Sequence, residues 1–320
     1  MSIEAAPLHE DVARAPAGGE AFWLTASDGV RIRVALWGHA EASKGTILLF
    51  PGRTEYIEKY GVTAAGFVER GYAVAVIDWR GQGIAERLLD DRMLGHVSAF
   101  KDYQFDVAAM LGLVRDKGLP EPLFLVAHSM GGCIGLRALI EGLPVNAAVF
   151  TAPMWDISLP PGKRNLGWVA STIAHQFGFG SILSPGTVSQ TYVLANPFDD
   201  NMLTRDLEMW ELMKSQVSTY PDLSLGGPSL TWLNEALREC RALKAHPTPN
   251  VPCICYLGTN ERIVDTATVH DRMSRWPNGS LEMIEGGEHE ILMEGTELRN
   301  RIFGEVDAFF AASAVEAKAG

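Results

Sequence analysis

Residues 122–140 read PLFLVAHSMGGCIGLRALI, and no other stretch constrains the fold as tightly. An almost continuous apolar run meets Ser129, two glycines follow within three positions, and an apolar-periodic run opens at once. The first run suits a strand buried on both faces and the second a helix, so the chain must pass from strand to helix through one sharp turn. A serine on such a turn is held in strain above the sheet. Residues two before and two after it must be small so that neighbouring backbone can pass. Those places hold Ala127 and Gly131. The following helix aims its amino end at Ser129, where its N–H groups would stabilise developing negative charge. Ser129 is therefore the candidate nucleophile; a serine that only capped the helix would not need the strand before it. His128 points another way at such a turn and is expected to be packed or hydrogen-bonded. Cys133, one helical turn on, is expected to be packing.

The rest of the chain alternates in the same manner. Apolar runs at 46–50, 72–78, 146–152 and 252–258 read as parallel strands. Residues 20–26 and 30–37, joined across Asp28-Gly29, read as an antiparallel hairpin. Helical periodicity marks 56–70, 100–117, 130–142, 229–243, 266–276 and 296–312. With an eighth strand leading into the Gly286-Gly287 loop, strand and helix in turn give an α/β fold: a mostly parallel eight-stranded sheet flanked by helices. The alternation breaks over 156–228, where Pro160-Pro161, Pro185-Gly186, Asn196-Pro197 and Gly226-Gly227-Pro228 interrupt short helical segments. That stretch is assigned to an inserted helical cap, leaving 20–155 and 229–313 as the core. Residues 1–19 are expected to be a flexible leader and 314–320 a frayed tail.

A nucleophilic serine needs a base, an acid to orient that base, and donors for the oxyanion. In LEMIEGGEHEILM, 281–293, His289 lies on a glycine-loosened loop after a strand, late in the chain. The chain order serine, acid, histidine belongs to this strand–turn–helix geometry, and of the eight histidines only His289 has the required place. The acid should follow the strand at 252–258, whose exit holds Glu261 and Asp265. Glu261, three residues after Gly258, is the favoured acid. Asp265 precedes a helical pattern, where it would serve as N-cap, and is the alternative. After the strand at 46–50 comes Pro51-Gly52-Arg53, a loop whose glycine lets backbone approach a substrate. The main-chain N–H groups of Arg53 and Met130 are the expected oxyanion donors. The Arg53 side chain is expected to face solvent in an ion pair with Glu55, the alternative being contact with an anionic head group.

Taken together these residues resemble the monoacylglycerol lipase and lysophospholipase branch of the α/β-hydrolases, over 20–311. HSMGG at 128–132 is similar to that branch's nucleophile segment. PGRTEYIEKY at 51–60 looks like its HGxxEHxxRY loop, with Pro51 for His, Tyr56 for His and Lys59 for Arg. DWRGQG at 78–83 resembles its DxRGxG turn, and GHVSAFKDYQFDV at 95–107 and NMLTRD at 201–206 also match. Ala127 stands where the branch usually has Gly, and Glu261 where Asp is commoner. The resemblance implies the α/β-hydrolase fold and cleavage of glycerolipid-type carboxylic esters through an acyl-enzyme, with no cofactor and no metal. Acyl transfer to an alcohol or thiol would use the same acyl-enzyme, and a non-catalytic binding protein on this fold is the reading from another class.

Charge and cysteines narrow the partners. The formal net charge of -12, without clustered Lys or Arg, opposes binding to nucleic acid. No apolar run approaches the roughly 18 residues needed to span a bilayer, and residues 1–19 lack an apolar signal core. A cytoplasmic protein taking a small-molecule ester or lysolipid is expected. Cys133, Cys240, Cys253 and Cys255 form no CxxC pair and no cluster with histidine, so metal and redox roles are not expected. Cys253 and Cys255 share a strand face as packing residues. Trp155, Trp168, Phe177, Phe179, Tyr192, Phe198 and Trp210 would pack the cap and line an acyl pocket. The sequence carries no signature of oligomeric state.

Overall fold

The computed structural model describes residues 3–158 and 180–319. Among them nine strands form one sheet: β1 (Glu4–Ala5), β2 (Glu20–Thr25), β3 (Arg31–Trp37), β4 (Thr46–Phe50), β5 (Ala73–Asp78), β6 (Leu123–His128), β7 (Ala147–Thr151), β8 (Cys253–Gly258) and β9 (Gly279–Ile284). Their order is β1-β2-β3-β5-β4-β6-β7-β8-β9. The pairs β1/β2, β2/β3 and β3/β5 are antiparallel, and all the others are parallel. The helices are α1 (Glu10–Ala13), α2 (Gly61–Val68), α3 (Tyr103–Asp116), α4 (Ser129–Ile140), α5 (Tyr192–Ala195), α6 (Leu207–Thr219), α7 (Leu230–Ala245), α8 (Thr266–Met273) and α9 (Thr296–Ala319).

The strand pleat sorts the core into two layers. Leu48 and Phe50 of β4 face Met110, Ile134, Trp232 and Val269 of α3, α4, α7 and α8. Ile47 and Leu49 face Ala64, Phe67, Ile302 and Phe310 of α2 and α9. Such strands must be apolar on both faces, as β4 is from Ile47 to Phe50 and β6 from Leu123 to Ala127. Because β4 lies between β5 and β6, the chain leaves β4 toward α2 on one face and β6 toward α4 on the other. The loops after β4 and β6 therefore part at a topological switch point, where open α/β sheets bind ligands.

Three expectations change. The sheet has nine strands, not eight, because the leader contributes β1, which pairs Glu4 with Trp23 and Ala5 with Phe22. Nor is the leader loose. The Pro7 carbonyl accepts from Arg33 Nη1 at 2.9 Å, the His9 ring stacks on Tyr220 at 3.7 Å, and Ala13 is wholly buried. A two-residue strand is too short to show alternation, which is why the sequence pattern hides it. At the other end, α9 runs on to Ala319 rather than ending near 312.

Between 180 and 228 lie α5, α6 and a 3-10 turn (Pro221–Leu223). Val193, Trp210, Met213, Val217 and Leu223 cluster there around Tyr56 of the core, with Tyr192 and Phe198 against them. Trp155 is elsewhere, stacked on Trp276 in the sheet core. Pro160-Pro161, Trp168, Phe177 and Phe179 lie outside the described residues. No helix among the described residues is long and apolar enough to cross a membrane.

Candidate active site

β6 ends at His128 and α4 begins at Ser129, with no residue between them. Ser129 has φ 48°, a left-handed conformation that is costly for a residue with a Cβ. A Cβ added at Gly131 would lie 2.1 Å from the Phe50 carbonyl oxygen, so the close passage of β4 requires glycine there. Ala127, the departure from the usual Gly, has its methyl opposite Gly135, where an added Cβ would approach it to 3.3 Å. Clearance lost at 127 is recovered at 135.

The structure brings Ser129, His289 and Glu261 into line. Ser129 Oγ lies 2.9 Å from His289 Nε2, and His289 Nδ1 lies 2.7 Å from Glu261 Oε2. The other Glu261 oxygen accepts from the Ile263 and Val264 N–H groups at 2.6 and 3.0 Å. Burial opposes the Glu261 charge, but His289 and these two N–H groups outweigh it and hold the carboxyl below its usual range. Asp265 instead accepts from Thr268 N at 2.7 Å, capping α8. The base loop is itself held by the NMLTRD segment: His289 N donates to Met202 O and Glu290 N to Leu203 O.

The loop after β4 is clamped by Gln82. Its Nε2 donates to Gly52 O and its Oε1 accepts from Thr54 N, both at 3.0 Å. Trp79 Nε1 donates to Pro51 O at 2.9 Å. Since a trans peptide aims its C=O and N–H in opposite directions, fixing the Gly52 carbonyl on Gln82 turns the Arg53 N–H away from Gln82. The Met130 N–H belongs to the first turn of α4, where no carbonyl within the helix is available to it. The DWRGQG turn that carries Gln82 is held by Asp78, which accepts from Ile57 N and Ile84 N. At Gly83, φ 51°, a Cβ would lie 2.2 Å from that carboxylate.

The Arg53 side chain departs from expectation. It makes no ion pair with Glu55; Nη2 donates to Gly226 O at 2.6 Å and the guanidinium lies 5.1 Å from the Trp232 ring centre. Thr54, at φ 65°, turns the chain between the two residues, so Glu55 goes inward while Arg53 goes toward the cap junction.

Inside, Glu55 enters a buried cluster that the sequence reading did not single out. It accepts from Gly52 N, from Tyr60 Oη and from Lys59 Nζ, the last at 2.5 Å, and Lys59 Nζ also donates to Glu290 at 2.6 Å. His128 Nδ1 donates to Thr151 O at 2.9 Å, while its Nε2 lies 3.3 Å from Glu290 and 3.6 Å from Glu55. Burial, with Glu290 nearby, pushes the Glu55 carboxyl up. Burial also disfavours the Glu290 charge, but Lys59 and His128 prevail and hold it well below its usual range. For His128 burial acts downward and the two carboxylates more than reverse it. Glu55, His128 and Glu290 have ligand atoms within 4.8 Å of one another, a set that could hold a metal ion. Lys59 already supplies a cation to both carboxylates. The signals were present in the sequence: Glu55 and Lys59 are four apart, and Glu290 adjoins His289.

A family model described as serine aminopeptidase, S33 (Hydrolase_4) matches residues 41–296. Lysophospholipase L2 of Escherichia coli K12 is 30% identical over 302 residues, 90% of this chain and 86% of its own length. The monoglyceride lipase of Mus musculus is 23% identical over 93% of this chain and 92% of its own. Among solved structures, a soluble variant of Saccharomyces cerevisiae monoglyceride lipase in complex with a substrate analog superposes with TM-score 0.70 at 18% identity, covering 91% of this chain and 94% of that one. A thermostable carboxyl esterase of Bacillus coagulans gives TM-score 0.69 at 13% identity, covering 93% and 99%. At such identities these two likenesses bear on the fold, and the fold they share is the α/β-hydrolase fold.

Proposed function

The chain belongs to the Hydrolase_4 (serine aminopeptidase, S33) family and is a serine ester hydrolase, and from that premise we propose that Ser129 cleaves single-chain glycerolipid esters, lysophospholipid or monoacylglycerol in type. The observation that carries the reading is the unbroken line from Ser129 Oγ through His289 to Glu261, at 2.9 and 2.7 Å. In this reading His289 Nε2 takes the serine proton as Oγ attacks the ester carbonyl. The Arg53 and Met130 N–H groups receive the oxyanion, each contributing on the order of 3 kcal/mol at the transition state. His289 then protonates the departing glycerol oxygen, and water activated by the same ring frees the fatty acid. Glu261, held ionised, keeps the proton on Nδ1 and stabilises the imidazolium.

The relatives' names, lysophospholipase L2 and monoglyceride lipase, support a glycerolipid substrate. The apolar cluster around Tyr56, Trp210 and Met213 supports reading 156–228 as a cap over the acyl chain. Four buried, unpaired cysteines support a cytoplasmic setting. The test is steady-state hydrolysis of lysophosphatidylcholine, monoacylglycerol and p-nitrophenyl esters from acetate to palmitate. Turnover of the two lipids above that of the acetate ester is expected. Activity confined to acetate, with neither lipid cleaved, overturns the glycerolipid reading.

A further inference from the structure

The Arg53 side chain has more donors than partners. A guanidinium carries five N–H bonds in a fixed fork. Among the described residues one Gly226 carbonyl takes Nη2, the Trp232 face lies beside the group, and the buried Nε has no partner. Among the described residues no carboxylate lies within ion-pairing distance of Arg53. The buried Arg33, Arg80 and Arg137 all have one. Arg87 and Arg272 lack one too, and each keeps one buried nitrogen without a partner. Arg87, however, spends Nη1 and Nη2 on main-chain carbonyls of Gly81, Gly83, Asp222 and Ser224, and Arg272 packs near Trp155 with Nη2 on Leu243 O. Of the three, Arg53 alone lies on the loop after β4. With no acid nearby to offset desolvation, burial brings the Arg53 pKa down to about 10. The residue is not sealed, for part of its surface remains open.

Its place on the loop sets what could satisfy it. The Arg53 amide nitrogen is the proposed oxyanion donor, and the guanidinium carbon lies six bonds from it along the side chain. In a lysophospholipid acylated at the terminal glycerol oxygen, phosphorus lies six bonds from the scissile carbonyl carbon. A substrate whose carbonyl oxygen meets the Arg53 N–H therefore has a phosphate of matching reach, and a guanidinium fork suits phosphate oxygens better than a neutral hydroxyl.

We propose that the Arg53 side chain is the head-group subsite of this active site, binding the phosphate of a lysophospholipid while the same residue's main-chain N–H receives the oxyanion. The proposal rests on the glycerolipid reading above and selects within it. The phosphate supplies to Arg53 the negative partner that the described residues do not, and a monoacylglycerol, with a hydroxyl in that place, cannot.

The deciding quantity is the ratio of kcat/KM for lysophosphatidylcholine to that for monoacylglycerol of the same chain. Arg53→Met should lower this ratio by roughly 10-fold to 100-fold, the range for hydrogen bonds to a charged group, over and above any loss common to both substrates. Arg53→Lys, which keeps the charge and loses the fork, should fall between. Equal losses on both lipids in Arg53→Met would overturn the proposal while leaving the glycerolipid reading intact. Failure of the wild type to cleave either lipid would overturn both. Should Arg53→Met not fold, wild-type monoacylglycerol hydrolysis provides the second measurement. Competitive inhibition by sn-glycerol 3-phosphate, at concentrations where glycerol has no effect, is expected, and equal indifference to the two compounds contradicts the subsite.

Discussion

The line Ser129–His289–Glu261 and the cluster Glu55–Lys59–His128–Glu290 lie side by side, their two histidine rings 4.8 Å apart, and draw on the same loops. Both are buried and both combine histidine with carboxylate, yet they end differently. In the cluster each carboxylate meets the Lys59 ammonium, and its oxygens are shared among donors of the protein itself. In the line, Glu261 is closed by two main-chain N–H groups while the opposite end, Ser129 Oγ, is held by His289 on a strained turn. A closed set of charges fixes the loops around it, and an open-ended one can pass a proton outward. The cluster also reaches both halves of the proposed machinery, since Glu55 holds the Gly52 N–H of the oxyanion loop and Glu290 follows His289 in the chain.

Substitutions can separate the two. Glu261→Gln should leave the fold intact but reduce kcat on the order of 10⁴-fold, as when a triad acid becomes its amide. Steady-state hydrolysis beside a thermal melt would record the split, and comparable turnover in variant and wild type would remove Glu261 from the reaction. Lys59→Met acts the other way, leaving two buried carboxylates facing each other. It should cost about 3–5 kcal/mol of stability, measured by urea unfolding, and activity should fall through displacement of the loops. A smaller loss in the triple variant Glu55→Gln, Lys59→Met, Glu290→Gln would show that charge imbalance, not shape, is the cause.

A third test uses pH. His128 faces Glu55, Glu290, Lys59 and the His289 ring, and its pKa is raised in the folded protein because the carboxylates overcome burial. A raised histidine contributes stability that is fully present below the unfolded value of about 6.5 and is lost as pH rises through the folded value. The destabilisation by His128→Gln should therefore be greater near pH 5.5 than near pH 9. An unvarying difference in melting temperature across that range would mean that His128 acts by packing alone. The smallest effect is expected of Asp265→Asn, roughly 1 kcal/mol or less with near-normal turnover, because Asn also caps a helix.

These two regions also differ in how far they were legible beforehand. Ser129 and His289 could be read because each follows a recognisable strand in a fixed chain order. Glu261 and Asp265 stood four residues apart at one strand exit, and composition could not say which turns toward the base. What separates them is local hydrogen bonding, with Ile263 and Val264 on one acid and Thr268 on the other. The cluster was harder, since its members come from the loop after β4, the end of β6 and the loop after β9, which only the sheet order brings together. The direction of Arg53 depended on the positive φ of Thr54, a residue type that gives no warning of it. The parallel strands were legible from their apolar runs, whereas β1 was too short to leave a pattern.

The claim that Ser129 is the nucleophile is tested most directly by labelling the protein with a fluorophosphonate and mapping the adduct by peptide mass. One adduct is expected, on Ser129, abolished in Ser129→Ala and slowed strongly in Glu261→Gln. An adduct on another residue, or labelling of Ser129→Ala at the wild-type rate, would contradict the account.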